Sequence, residues 1–239
     1  MRQVLITGGG TGIGRAIAWA FAKNRDAVTI AGRRVDVLNA AAKGRNITCI
    51  EADVTNEVDV RDMFKSPFDV VVANAGWGAS GKTAKLSLTE WNATLTANLT
   101  STFLTFREAL RSDPGPSRLI AIASTASLKG NASVPAYTAA KHGVLGLVRS
   151  IALDVAKKGM TCNAICPGFC DTNLAETAIT GIMERFDIDR GTATAKVAAN
   201  NPRGDLISPY EIAQTALFLA SEGGAAINGH ALSVSGGEI

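Results

Sequence analysis

The chain contains no long apolar run and no concentration of basic charge. Its apolar stretches stay below the roughly 18 residues that mark a candidate membrane-spanning helix. The opening MRQVLITGGG lacks the apolar core and small-residue cleavage site of a signal peptide. The net charge is only +3, and no basic cluster is longer than Arg33-Arg34 or Lys157-Lys158. We therefore expect a soluble cytoplasmic protein that binds neither membranes nor nucleic acid.

Candidate metal ligands are also few, since the chain has 4 cysteines and 2 histidines. Cys162, Cys166 and Cys170 recur at every fourth position, a regularity that raises the question of a metal site. However, Cys162 and Cys166 lie in the strand-like run TCNAIC, where four-residue spacings reach too far for one tetrahedral site. We interpret these cysteines as buried structural thiols and predict no metal site.

Short β-rich runs alternate with helical patterns along all 239 residues. Hydrophobic residues make up 46% of the chain, enough for a large core in one α/β domain spanning 1–239. Several strand candidates are nearly continuous apolar runs, as in strands that are covered on both faces. The strand candidates are QVLIT, DAVTIA, NITCIEA, FDVVVANA, RLIAIAS, MTCNAIC and ALSVSG, and the helix candidates are 13–24, 34–43, 56–64, 88–111, 134–158 and 209–221. This alternation predicts a doubly wound parallel sheet of about seven strands with helices on both faces.

One segment, 171–208, is too long for an ordinary strand-to-helix loop. Within it, an apolar stripe at i, i+3, i+4 and i+7 predicts a short helix, formed by Ile179, Ile182, Met183 and Phe186. Two interpretations stay open. The segment is either an additional packed helix or a mobile lid inserted over a substrate pocket.

A glycine-rich turn, ITGGGTGIGRAIAWAF, stands directly between the first strand and the first helix. In that position it offers bare backbone N–H groups and the positive end of a helix to a pyrophosphate. Gly8, Gly12 and Gly14 permit the tight turn and the close approach of the ligand. The sequence therefore predicts a dinucleotide site here.

The stretch SVPAYTAAKHG sets Tyr137 four residues before Lys141. On a helix these side chains project side by side. A neighbouring ammonium stabilises a phenolate, so Tyr137 is a candidate general acid and base. Taken alone, the spacing also fits a surface helix that carries both residues by chance.

The motifs occur in an order that resembles the short-chain dehydrogenase/reductase family, over essentially the whole chain. They are TGGGTGIG at 7–14, Asp53-Val54, ANAG at 73–76, Asn98, Ser124, YxxxK at 137–141, and Pro167-Gly168 followed by Thr172. The resemblance implies a Rossmann-type fold and a nicotinamide cofactor. It implies cofactor contacts from Gly8, Gly10, Thr11, Gly12, Ile13, Gly14, Arg33, Arg34, Asp53, Val54, Asn74, Ala75, Gly76, Tyr137, Lys141, Pro167, Gly168 and Thr172.

The end of the second strand indicates which nicotinamide cofactor is used. An acid at this point binds the ribose hydroxyls of NAD, whereas arginine accommodates the phosphate of NADP. The strand ends in Gly32-Arg33-Arg34, and Asp36 comes too late, inside the next helix. Arg33 and Arg34 therefore favour NADP(H). Two observations keep NAD(H) open: the arginines could be solvated charges, and Thr11 stands where many NADP-using relatives carry a basic residue.

The catalytic roles follow from the resemblance. Tyr137 exchanges the proton, and Lys141, with the positive nicotinamide of the oxidised cofactor, lowers its pKa and also binds ribose hydroxyls. Ser124 holds the substrate oxygen, Asn98 supports a water relay, and Thr172 anchors the nicotinamide carboxamide. The reaction is then the interconversion of a ketone and a secondary alcohol.

The substrate is less defined. Ser124 and Tyr137 are expected to contact it, with Trp77, Asn131 and Phe169 lining the pocket together with Leu128. A 3-oxoacyl thioester is the leading candidate for the carbonyl substrate, by resemblance to 3-oxoacyl carrier-protein reductases. The alternatives are an NAD-dependent dehydrogenase of a sugar, steroid or hydroxy acid, and a non-catalytic dinucleotide-binding regulator. The resemblance also implies a homotetramer, or a homodimer, paired through 88–111 and 134–158.

Overall fold

Seven parallel strands form one sheet in the computed structural model, which describes residues 1–78 and 80–239. The strand order is β3-β2-β1-β4-β5-β6-β7, so the chain moves outward from β1 in one direction and then in the other. The strands are β1 Gln3–Thr7, β2 Ala27–Gly32, β3 Ile47–Glu51, β4 Val70–Ala73, β5 Arg118–Ile122, β6 Thr161–Pro167 and β7 Ala231–Val234. The doubly wound fold predicted from the sequence is confirmed.

Helices cover the sheet on both faces. They are α1 Gly12–Lys23, α2 Val35–Ala42, α3 Glu57–Met63, α4 Leu88–Leu95, α5 Ser101–Arg111, α6 Pro135–Val155, α7 Asn173–Phe186, α8 Arg190–Ala198 and α9 Pro209–Leu219. One core cluster joins the sheet to α1, α2 and α9, and a second joins its other face to α3, α5 and α6. Leu5 belongs to one cluster and its neighbours Val4 and Ile6 to the other, which explains why the strands are continuously apolar. Throughout the described residues, every helix is too short or too polar to cross a membrane.

The predicted helix at 88–111 is interrupted by a π-helical turn, Thr96–Thr100, between α4 and α5. Hydroxyl groups after the turn bond back to the preceding backbone: Ser101 Oγ donates to the Ala97 carbonyl at 2.8 Å, and Thr102 Oγ1 donates to the Asn98 carbonyl at 2.7 Å. Such back-bonding competes with regular helical hydrogen bonds. The turn places Asn98 in the interior, 1% exposed.

The segment 171–208 contains two helices, α7 and α8, of which the apolar stripe predicted only the first. The stripe is not uniformly buried, because Ile179 is 2% exposed and Phe186 is 54% exposed. A bidentate ion pair between Glu176 and Arg190 joins the two helices, with N···O distances of 2.5 and 2.6 Å. The second helix begins at the cap Asp189, whose side chain accepts from the Thr192 backbone N–H.

The thiols of Cys162, Cys166 and Cys170 are buried, and that of Cys49 is half-buried. Cys162 and Cys166 lie in β6, as the sequence predicts. Burial raises the pKa of Cys166 to about 11 and that of Cys170 to about 12. Thiols with such pKa values carry little thiolate at neutral pH and are inert as nucleophiles.

Candidate active site

The carboxyl ends of the central strands bring the predicted motifs to one edge of the sheet. The glycine-rich turn follows β1, Asn74 follows β4, Ser124 follows β5, and Gly168 follows β6. In parallel sheets with helices on both faces, this edge is where ligands bind. The topology therefore assembles one site from segments that are far apart in sequence.

The glycine-rich turn is packed so closely that side chains would not fit. Gly8 and Gly12 have positive φ angles of +65° and +50°, which favour glycine. A Cβ on Gly14 would overlap the Gly8 carbonyl oxygen and lie 2.5 Å from Asn74 Nδ2. Thr11 makes no side-chain hydrogen bond at the start of α1, so no side-chain cap occupies the N–H groups there. This cradle fits a pyrophosphate.

Asn74 fastens the end of β4 to the glycine-rich turn. Its Nδ2 donates to the carbonyl oxygens of Thr7 at 2.9 Å and Gly8 at 3.2 Å. In return, Thr7 Oγ1 accepts from the backbone N–H groups of Asn74 at 3.0 Å and Ala75 at 3.2 Å. The Asn74 side chain therefore holds the cradle in shape. The predicted cofactor contact would be made by the accessible atoms of residues 74–76.

Arg33 and Asp53 form the electrostatic environment at the ends of β2 and β3. Arg33 and Arg34 are exposed, and Arg34 is the N-cap residue of α2. Asp36 lies in the first turn of that helix, so no acid stands at the tip of β2. Burial acts to raise the pKa of Asp53, but hydrogen bonds from Thr55 and the charge of Arg33 outweigh it and hold that pKa low. Arg33 is therefore close enough to Asp53 for both to border one ligand.

Thr172 closes the cradle from the opposite side. Its methyl carbon would lie 3.3 Å from a Cβ on Gly12, so the start of α7 abuts the glycine-rich turn. Thr172 is the N-cap position of α7 but makes no capping hydrogen bond with its side chain. Its hydroxyl makes one long bond, to the Cys170 carbonyl at 3.4 Å. The hydroxyl is therefore weakly held and able to take another partner.

Ser124 and Tyr137 meet beyond the cradle. Ser124 precedes a short 3₁₀ turn, Thr125–Ser127, and its Oγ accepts from the Ala126 N–H at 3.1 Å. Tyr137 lies in the first turn of α6, which begins at Pro135. The Ser124 hydroxyl is close enough to the Tyr137 phenol to act on its pKa. Tyr137 is half-buried, and a Cβ on Gly78 would lie 2.8 Å from its ring, so glycine there leaves room for the phenol.

Lys141 and Asn98 are buried behind Tyr137. Lys141 Nζ donates to the Ile122 carbonyl at 2.9 Å and lies 5.5 Å from the centre of the Tyr137 ring. Asn98 Nδ2 donates to the carbonyls of Trp77 and Thr94, whereas Asn98 Oδ1 has no hydrogen-bond partner among the described residues. A buried acceptor without a partner is costly unless water or a ligand satisfies it. A hydrogen-bond donor such as water, bound beside Lys141, would satisfy Asn98 Oδ1.

The predicted lowering of the Tyr137 pKa by Lys141 and the positive nicotinamide of the oxidised cofactor stays a prediction, because in the chain without cofactor Lys141 is not among the groups that shift this pKa. Burial raises the pKa of Tyr137 above its usual value, and the nearby Ser124 hydroxyl acts in the opposite direction without overcoming it. Burial also lowers the pKa of Lys141 to about 8. The i,i+4 spacing does place the two residues on one face, but it could not reveal that Lys141 is buried and Tyr137 half-buried.

The residues predicted to line the substrate pocket differ in how exposed they are. Trp77 and Phe169 follow Gly76 and Gly168 directly and are 49% and 42% exposed, so both aromatic side chains are available to a ligand. Asn131 lies in the loop before α6 and is half-buried. Across residues 1–78 and 80–239, its side chain forms no hydrogen bond with Ser124, Tyr137 or Lys141.

Comparison with known proteins agrees with this geometry. A protein-family model described as enoyl-(acyl carrier protein) reductase matches residues 8–238. The chain is 31% identical to a putative ketoacyl reductase of Streptomyces coelicolor, covering 98% of this chain and 95% of the relative. It is 33% identical to a 3β-hydroxysteroid dehydrogenase of Mediterraneibacter gnavus, covering 98% and 93%. A crystal structure of a variant actinorhodin polyketide ketoreductase with NADPH superposes with a TM-score of 0.93 and 29% identity, covering 99% and 97%.

The chain belongs to the short-chain dehydrogenase/reductase family. Its relatives are named as dehydrogenases and reductases that act on hydroxyl and keto groups, and this chain is an oxidoreductase of the same kind. The similarity extends along nearly the entire chain and includes every segment that contributes to the edge described above.

A cavity of about 790 Å³ in this short-chain dehydrogenase/reductase starts at the cofactor cradle but leads away from Tyr137. Gly12 and Thr172 form one end, and Trp19 and Tyr210 line the groove between α1 and α9. Ser124 and Tyr137 are not among its lining residues. The chemistry of the Ser124 and Tyr137 pair, rather than cavity size, therefore locates the candidate active site.

Sequence patterns missed two neighbours of the site. Cys166 lies near the Ser124 backbone and near Lys141, and both act to lower its pKa against the effect of burial. Lys129, in the segment that follows Ser124, forms an ion pair with Glu238 near the carboxyl end of the chain. No spacing rule connects residues so far apart; Lys129 follows β5 and Glu238 follows β7, so both lie at the carboxyl edge of the sheet.

The buried ammonium of Lys141 leads to a pH-dependent prediction. Its pKa is about 8 in the folded chain and about 10.4 when unfolded. Between these values the unfolded chain binds more protons, so this group makes folding more favourable as the pH rises. In cofactor-free protein, we compare the free energies of unfolding of the wild type and of Lys141→Met. We expect the wild-type value, relative to that of the variant, to increase by about 2 kcal/mol between pH ~7 and pH ~9.5.

Urea titrations at both pH values measure this difference. The raised pKa values of Tyr137 and Cys166 make folding less favourable as the pH increases, but burial, their main cause, is common to both proteins, so this effect largely drops out of the difference. A difference that stays constant with pH, or falls, would mean that Lys141 is not held in a desolvated state.

Proposed function

We propose that the protein is an NADP(H)-dependent oxidoreductase that interconverts a ketone and a secondary alcohol, with a 3-oxoacyl thioester as the leading substrate. The observation that carries the proposal is the convergence of Ser124, Tyr137, Lys141 and Asn98 beside a glycine-lined cradle. The relatives named as ketoacyl reductases support the choice of substrate class.

In the proposed mechanism, the Ser124 hydroxyl donates to the substrate carbonyl oxygen and fixes it against Tyr137. Tyr137 then donates its proton to that oxygen as negative charge develops, or accepts the proton in the oxidative direction. Because burial raises the pKa of Tyr137, the phenol is held protonated and ready to donate in the reductive direction. Lys141 and the unpartnered Asn98 Oδ1 provide the route by which Tyr137 is reprotonated through water.

The cofactor residues divide by the part of the dinucleotide that they would hold. Gly8, Gly10, Thr11, Gly12, Ile13 and Gly14 would hold the pyrophosphate, Asp53 and Val54 the adenine, and Asn74, Ala75 and Gly76 its flank. Pro167, Gly168 and Thr172 would hold the nicotinamide, together with Tyr137 and Lys141 at its ribose. When bound, the nicotinamide supplies or accepts the hydride.

Initial-rate assays with NADPH test the proposed function. We expect oxidation of NADPH with a 3-oxoacyl thioester and with simple ketones. A trans-2-enoyl thioester of equal chain length is the comparison substrate, because the matching family model is described as an enoyl reductase. Reduction of the enoyl thioester alone would overturn the assignment to carbonyl chemistry.

Cofactor preference depends on Arg33 in this proposal. We expect Arg33→Asp to weaken NADPH binding about 100-fold, which is ~2.7 kcal/mol, and to leave NADH binding within about threefold. Fluorescence titration with each cofactor measures the change in the two dissociation constants. Arg25→Asp is a suitable control, because this exposed arginine at φ 65° lies at the opposite edge of the sheet and aspartate tolerates that conformation.

If NADH binds more tightly than NADPH to the wild type, the NAD-linked alternative is correct. That alternative is an alcohol dehydrogenase working oxidatively, and the 3β-hydroxysteroid dehydrogenase relative gives it support. A non-catalytic regulator would bind cofactor without turning over any ketone or alcohol.

Further proposals concern the organisation of the protein. We propose one domain over 1–239, with 171–208 as a substrate lid whose two helices are joined by the Glu176 and Arg190 pair. A homotetramer, or a homodimer, is supported by exposed apolar side chains on α5 and α6: Phe103 is 42% exposed and Leu153 is 82% exposed. A cytoplasmic location completes the proposal.

A further inference from the structure

The two ends of the lid segment 171–208 are hydrogen-bonded to each other. The Asp171 N–H donates to the Ile207 carbonyl at 2.9 Å, and the Ile207 N–H donates to the Phe169 carbonyl at 2.9 Å. Cys170 and Ile207 form a parallel β-bridge, and Ile207 is 1% exposed. The segment therefore leaves the body of the protein and returns to it at one place, as an Ω-loop does.

A turn near the carboxyl end of the chain, Ser235–Glu238, packs against the start of this loop. A Cβ on Gly168 would lie 3.2 Å from Ser235 Cα and 3.1 Å from Glu238 Oε2. The Glu238 side chain is 7% exposed, and its Oε1 lies 2.9 Å from Lys129 Nζ. The carboxyl-terminal turn is therefore fixed against the end of β6 and against the segment that follows β5.

The same turn contacts the returning end of the lid. A Cβ on Gly236 would overlap Asn201 Oδ1. A Cβ on Gly237 would lie 3.4 Å from Pro202 Cγ. Asn201 is 7% exposed, and its Nδ2 donates to the Asp205 carbonyl at 2.7 Å. Glycine at position 236 thus leaves the space that the Asn201 side chain fills, directly after α8.

The two helices of the lid are held mainly by each other. They pack together, and within residues 1–78 and 80–239 neither packs extensively on another helix or strand. The ion pair of Glu176 and Arg190 also joins them to one another. Their apolar side chains Leu174 and Phe186 are 73% and 54% exposed. The position of α7 and α8 therefore depends on how the two ends of the lid are fixed.

We propose that Asn201 is a positioning residue, which packs against Gly236 and so holds the lid in the arrangement that binds the ketone. This inference rests on the proposed ketone reduction and on the proposed lid. When the contact is loosened, the lid spends a smaller fraction of the time in that arrangement, and the apparent affinity for substrate falls by the same fraction. Saturating substrate restores the arrangement, so the maximal rate is preserved.

Gly236→Ala tests the contact, because the new methyl group meets Asn201 Oδ1. With acetoacetyl-CoA as the ketone, we expect KM to rise about tenfold, with kcat within about twofold and the NADPH dissociation constant within about threefold of the wild type. Gly159→Ala is the matched control: its φ is +69° against +66° at Gly236, and a Cβ there meets no atom within 4 Å. It carries the same backbone strain at the opposite edge of the sheet and should leave KM unchanged.

Asn201→Ala removes the other side of the contact and should also raise KM about tenfold. In the double variant with Gly236→Ala, the methyl group at position 236 no longer meets Asn201 Oδ1. We therefore expect the double variant to resemble the single ones, whereas independent effects would multiply to about 100-fold and overturn the proposal. Thermal unfolding verifies that each variant is folded.

Limited trypsin digestion with NADP⁺ bound measures the lid without turnover. We expect cleavage after Arg185, Arg190 and Lys196 to be about tenfold faster in Gly236→Ala and in Asn201→Ala, and unchanged in Gly159→Ala. Faster cleavage in a protein that reduces no ketone supports the role of Asn201 in holding the lid and overturns the reductase proposal. Unchanged cleavage and unchanged KM in a working reductase overturn the positioning role alone, and so does a loss of kcat at unchanged KM.

Discussion

Tyr137→Phe is expected to reduce kcat by about 10²- to 10⁴-fold, the usual contribution of a positioned general acid. The variant removes only the phenol hydroxyl near Ser124, and the ring remains between Gly78 and Lys141. The affinity for NADPH should fall by no more than about fivefold, because the variant loses at most one hydrogen bond at the nicotinamide ribose and the cradle at Gly8, Gly12 and Gly14 is untouched. Parallel measurement of kcat and of the NADPH dissociation constant tests both statements.

Tyr210→Phe is the natural control, since the chain has 2 tyrosines and Tyr210 is 63% exposed on α9. It should retain full activity. Retention of more than about a tenth of wild-type kcat by Tyr137→Phe would mean that another group, or water, supplies the proton. A joint loss of activity and NADPH binding would indicate damage to the site rather than loss of an acid.

The second large effect is expected from Gly14→Ala. The new methyl group would overlap the Gly8 carbonyl oxygen and crowd Asn74, neither of which can move freely, because Asn74 joins the turn to β4. Overpacking of this kind costs about 1–3 kcal/mol of folding free energy. The distorted cradle should also weaken NADPH binding about 100-fold, or ~2.7 kcal/mol. Urea unfolding and fluorescence titration provide the two values.

Gly181→Ala makes the same chemical change in α7, where a Cβ would meet no other atom within 4 Å. Alanine is favoured over glycine inside helices by about 0.5–1 kcal/mol, so this variant should be slightly stabilised. If Gly14→Ala binds NADPH like the wild type, the turn is not the pyrophosphate site.

The sheet and the positions of the motifs were predictable from the sequence for physical reasons. Strands covered on both faces need apolar residues at successive positions. This pattern is present in β4 as Val70, Val71 and Val72. Glycine at positions 8, 12 and 14 reports local backbone geometry, which depends on few neighbours. The common location of Ser124, Tyr137 and Lys141 could be predicted because strand order determines which edge of the sheet they share.

Features that depend on long-range packing could not be predicted in the same way. The π-helical turn at Asn98 arises where Gly76 approaches that side chain, and the pKa of Tyr137 depends on how completely the fold removes it from water. The Lys129 and Glu238 pair joins residues that are separated in sequence by two strands and four α-helices of the fold. None of these has a local pattern, because each is a product of tertiary contacts.

The position of β1 in the sheet has a consequence for biosynthesis. Although β1 is made first, one of its two neighbours is β4, which begins at Val70, and β7 pairs with β6 only after Ala231 has been made. Pairings over such separations carry a large loop-closure cost and form slowly. During translation the edges of β1 and β6 therefore remain open to other chains until their partners arrive. We expect folding yield to depend on translation speed and chaperone supply more strongly than the stability of the finished sheet would indicate.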